Sequence, residues 1–85
     1  MTAKAQQLLV SWLVELGQNR PGSAGAFAHL ADSELAAQHQ NGEKKIVQSI
    51  WIWRDENWAA WDSLIHNVFH YVKTGQAPTR WTDDK

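Results

Sequence analysis

Apolar positions recur at helical spacing along most of the chain. In residues 3–18 they fall at Ala5, Leu8, Leu9, Trp12, Leu13 and Leu16, which share one face of an α-helix. Thr2 is placed to cap that helix. Gly17 and the Asn19-Arg20-Pro21-Gly22 run end it, because proline drives the preceding residue out of α geometry and Gly22 admits a turn.

Residues 23–40 carry Phe27, Leu30, Ala31, Leu35 and Ala36 at the same period. In their midst Asp32-Ser33 followed by Glu34 reads as a capping signature, which predicts two short helices, 24–30 and 33–40. Asn41-Gly42 supplies the stop.

From Glu43 to Lys73 bulky residues dominate. Residues 46–53 are β-branched and aromatic enough for a strand. No second strand candidate exists in the chain, so a lone strand would have to pair with another molecule. The helical reading has positive support in Trp51, Arg54, Trp58, Trp61, Ile65, Val68 and Val72, nearly a complete heptad seam. Ile46, Ile50, Trp53, Ala60, Leu64 and Tyr71 form a stripe beside it. The polar island Arg54-Asp55-Glu56-Asn57 is a place for a break, with Asp55 as a fresh N-cap. Lys73-Thr74-Gly75 reads as a helix end, with a cation near the negative pole of the dipole and a glycine free to turn left-handed.

The pattern therefore predicts an all-α fold, a small bundle of three to five helices whose C-terminal helix is long or broken near 54–57. Its 85 residues make one domain, 1–78, followed by a polar tail, 79–85. The start of the chain runs directly into the first amphipathic pattern, and no apolar stretch approaches the roughly 18 residues of a membrane span. A chain without leader or anchor, and without a single cysteine, is expected to be a soluble cytoplasmic domain held by packing or self-association. Its size and composition fit a bacterial accessory, phage or mobile-element protein.

Chemistry is sparse. His66 and His70 lie four apart and would share a helix face, the spacing of paired helical metal ligands. The residues between them lack the glutamate of a metalloprotease helix and nothing completes a coordination sphere, so solvated histidines are the expectation. The serines lack a glycine-flanked elbow, the carboxylates are not paired across a helix turn, and the glycines are scattered at helix ends. No enzyme, metal or cofactor is expected.

Six tryptophans, at 12, 51, 53, 58, 61 and 81, are the compositional anomaly. So small a core has difficulty hiding six indoles, and aromatic residues supply much of the energy at interfaces. Trp51, Trp53, Trp58, Trp61 and Trp81 are the candidate interface residues. Trp58 and Trp61 fall on a seam that also suits the core, which leaves Trp51, Trp53 and Trp81 most exposed to that role. The expected function is a non-enzymatic protein-interaction module, an adaptor, regulator or inhibitor, that dimerises and binds a further protein.

The alternative is a helix-turn-helix-like DNA-binding regulator using residues 33–53, with Lys44, Lys45 and Gln48 on the reading helix. A formal net charge of −1 argues against it, since nucleic-acid binders present a basic stripe.

Overall fold

In the computed structural model, which describes residues 1–20 and 22–82, the hydrophobic periods become four helices and no strand among those residues. They are α1 (Ala3–Asn19), α2 (Ala24–Gln40), α3 (Lys44–Glu56) and α4 (Trp58–Thr74). The turn signal read at Pro21 and the polar residues Asp83, Asp84 and Lys85 lie outside the described residues.

Local chemistry sets most of the helix ends. The Thr2 hydroxyl accepts the Ala5 N–H at 3.1 Å, and the Ser23 hydroxyl accepts the Ala26 N–H at 3.2 Å. Each satisfies one of the four donors that a helix start leaves free. At the end of α4, Gly75 turns left-handed (φ 75°) and its N–H reaches the Tyr71 carbonyl at 2.7 Å. Gly42, after α2, has φ 110°, a region where a side chain would be strained.

Helix α2 departs from the expected pair of short helices by running through Asp32 and Ser33 without a break. Phe27, Ala31 and Leu35, one turn apart on one face, are all buried. Their packing keeps the helix continuous where the isolated sequence favours a cap, an ordinary outcome when tertiary contacts outweigh propensity. Asp32 does not turn back to cap Leu35; its carboxylate pairs with Arg54 on α3.

Residues 46–53 are helical as part of α3, with Val47, Ile50 and Trp53 buried. That set suits a helix, because in a strand Ile50 would point away from Val47 and Trp53. Between α3 and α4 stands Asn57. Its backbone leaves helical geometry (φ −141°, ψ 57°), and its side-chain amide donates to the Trp53 carbonyl at 3.0 Å, closing the end of α3. The break falls here, two residues past the expected cap Asp55.

Every helix touches the other three, most extensively α1 with α4 and α2 with α3. One core results, built from Leu9 and Leu13 of α1, Ala31 and Leu35 of α2, Val47 and Ile50 of α3, and Leu64 and Val68 of α4, all without solvent exposure. Gly17 lets α1 approach α4, since a Cβ there would stand 3.0 Å from Val72 Cγ2. The chain after α4 folds back on it. Asn67 donates from its amide to the Trp81 carbonyl at 2.9 Å, the Trp81 ring meets Tyr71 edge-on at 5.6 Å, and Thr82 is buried. No helix among the described residues is long and apolar enough to cross a membrane.

Candidate protein interface

The six indoles have different fates, set by the phase of the helix that carries each. Trp53 and Trp61, both expected at an interface, are 5% and 4% exposed and belong to the core. Trp53 shares its face with Val47 and Ile50, and Trp61 shares its face with Leu64, Ile65 and Val68, so burying those neighbours buries the indoles too. Trp12, Trp51 and Trp81 are half-buried against the same core. Trp51 stacks on His39 with ring centroids 5.1 Å apart, and the pair joins the end of α2 to α3.

Trp58 behaves differently from its seam. It is in phase with Trp61 and Ile65, yet it is 52% exposed, because it opens α4 at a corner where no further helix covers it. What lies over it instead is a cation. The Arg54 guanidinium carbon is 4.9 Å from the Trp58 ring centroid and 5.1 Å from that of Trp61. Arg54 Nη1 also donates to the Asp32 carboxylate, and its buried Nε lacks a hydrogen-bond partner.

Arg54 thus ties three helices together at this corner. Its side chain is 16% exposed and that of Asp32 58%, so solvent screens the ion pair, while of the two rings under the guanidinium Trp61 is buried. Asp32→Ala is expected to cost at most about 1 kcal/mol, and Arg54→Ala about 2 kcal/mol through lost ring contact and packing. Urea denaturation of both variants checks the order, and equal costs would contradict it.

The other large apolar side chain on the surface is Ile52, 62% exposed. Sequence reasoning passed over it, though the signal was there. Once Val47, Ile50 and Trp53 define the inner face of α3, Ile52 is left on the outer one with Lys44, Lys45, Gln48, Asp55 and Glu56, all exposed. Lys44, Lys45 and Gln48, the residues a DNA-reading helix would use, therefore share their face with two carboxylates that repel phosphate.

His66 and His70 are exposed on α4, their rings roughly parallel at 6.5 Å. Among the described residues no group of three or more His, Asp or Glu side chains is placed to hold a metal ion.

A cleft of about 180 Å³ between the ends of α1, α2 and α4 has Phe27, Phe69 and Val72 in its lining, with Arg20 and Lys73 also on it. A wider groove of about 510 Å³ runs between Val10 and Val14 of α1 and the Tyr71–Trp81 pair. Ser11, Glu15 and Gln18 of α1 also line the wider groove. Comparison with protein-family models, with curated proteins and with solved structures gave no match.

Proposed function

We propose that this protein is a small non-enzymatic interaction module, an adaptor, regulator or inhibitor, that works as a homodimer through the surface around α3 and the start of α4. The observation that carries this reading is the exposure of Ile52 and Trp58 (62% and 52%), in a fold whose other large apolar side chains, apart from these two, are at least half-buried among the described residues. Branched and aromatic side chains left in water are an unfavourable choice for an isolated domain and a favourable one for a surface that is covered in use.

Sedimentation velocity tests the proposal. The natural chain should be dimeric at micromolar concentration, and Ile52→Lys with Trp58→Ala should shift it to monomer while lowering the thermal melt of the dilute protein by no more than about 4–8 °C. A strictly monomeric natural chain would remove the proposal. Retardation of nonspecific duplex DNA at low salt, lost steeply as salt rises, would replace it with the DNA-binding alternative.

A further inference from the structure

The outer face of α3 has its charges at the wrong ends. A helix favours acids in its first turn and cations in its last, because its N-terminus carries partial positive charge and its C-terminus partial negative charge. Helix α4 follows that rule with Lys73 in its last turn. In α3 the N-cap Glu43 and the half-buried Arg54 of the last turn follow the rule, but the outer face between them reverses it, with Lys44 and Lys45 in the first turn and Asp55 and Glu56 in the last. No side chain caps its N-terminus. None of these four charged groups forms an ion pair among the described residues, where the Arg54–Asp32 pair stands alone.

We infer that α3 is the dimer contact, packed antiparallel against α3 of a second copy of this chain. This rests on the reading above that the protein self-associates, and it specifies the surface and the register. With the two-fold axis beside Ile50, Lys45 stands across from Asp55 of the second copy and Lys44 across from its Glu56. Gln48 and Ser49 then lie across from Ile52 of the second copy, so that the two Ile52 side chains flank the axis and lose their exposure.

The charge order selects this arrangement over its competitor. A parallel pair would set lysines against lysines and carboxylates against carboxylates. An isologous contact requires a patch complementary to itself, and a helix face that is basic at one end, acidic at the other and carries Ile52 with the uncharged Gln48 and Ser49 between them has that property when it is inverted. The same order explains why α3 keeps an arrangement that its own dipole disfavours: each misplaced charge finds its opposite on the second copy. Antiparallel packing also sets the two helix dipoles head to tail.

A charge-exchange experiment tests the register. One variant carries Lys44→Glu with Lys45→Glu, the other Asp55→Lys with Glu56→Lys. In each alone, like charges face one another across the contact, and the dimer dissociation constant from sedimentation velocity should rise at least about tenfold. Mixed in equal amounts, the two variants face opposite charges at both ends and should regain a dimer as tight as that of the natural chain.

Thermal melts of the dilute chains guard against misfolding. Both variants place their new charges in accord with the helix dipole, so each monomer should melt no lower than the natural one. If the natural chain dimerises but either exchange leaves its affinity unchanged, or if the mixture fails to recover, the α3 contact is wrong while self-association stands. A monomeric natural chain overturns both.

Discussion

Trp53→Ala is expected to cost about 3–5 kcal/mol, the range for removing a buried large aromatic side chain. For a domain of this length, whose whole stability is of the order of 4–13 kcal/mol, that is a large share of the total and, at the low end, leaves a substantial unfolded fraction at room temperature. The indole is 5% exposed and lies with Val47 and Ile50 on the inner face of α3. At about 4–8 °C per kcal/mol for a small domain, the melting midpoint should fall by about 12–40 °C. Trp58→Ala is the control. With half of its surface already in water and an arginine over its ring, it should cost about 1 kcal/mol. Circular dichroism melts of the two variants under identical conditions distinguish them, and equal shifts would refute the assignment of Trp53 to the core and Trp58 to the surface.

Gly17→Val should also be severe, for the opposite reason. A Cβ at this position meets Val72 Cγ2 at 3.0 Å and Phe27 Cε1 at 3.3 Å before any larger group is added. The two further methyl groups must then push α1 from α4, an overpacking expected to cost about 2–3 kcal/mol. Gly17→Ala sets two terms against each other. It gains roughly 1 kcal/mol of helix propensity and loses a comparable amount to the contact with Val72, so its stability should stay close to that of the natural chain. Adding Val72→Ala should relieve part of the Gly17→Val penalty, a coupling that a double-mutant cycle in urea measures directly. Strict additivity of the two substitutions would show that this glycine is not where the helices meet.

These variants bear on how the proposed function fits the fold. The inner faces of the helices are so fully committed to one core that they have nothing left to offer a partner. Association through them would require unfolding. The outer face of α3 leaves Ile52 and its charged groups without contacts in the folded monomer, Trp58 stands half in water beside it, and the dimer is proposed there. An abundance of tryptophan is therefore a poor guide to the contact by itself: Trp53 and Trp61 stabilise the monomer, Trp51 and Trp81 close its edges, and Trp58 alone is held at the surface.

The sequence by itself determined that most of the chain is helical, since its apolar residues recur every three or four positions, but it left residues 46–53 open between a helix and a strand paired with another molecule, which the burial of Val47, Ile50 and Trp53 on one face decided. It also located the start of α1 at Thr2, the turn at Asn41-Gly42 and the end of α4 at Gly75. Each depends on interactions within a few residues: a hydroxyl reaching the first turn, or a glycine taking a backbone conformation others resist. The continuity of α2 through Asp32-Ser33 was decided elsewhere, by the burial of Phe27, Ala31 and Leu35 and by the distant cation of Arg54 that draws the Asp32 carboxylate away. The same holds for the indoles. Periodicity told which of them share a face, but whether that face is covered depends on where the other three helices lie and where the bundle ends, and neither is a property of the segment that carries the tryptophan.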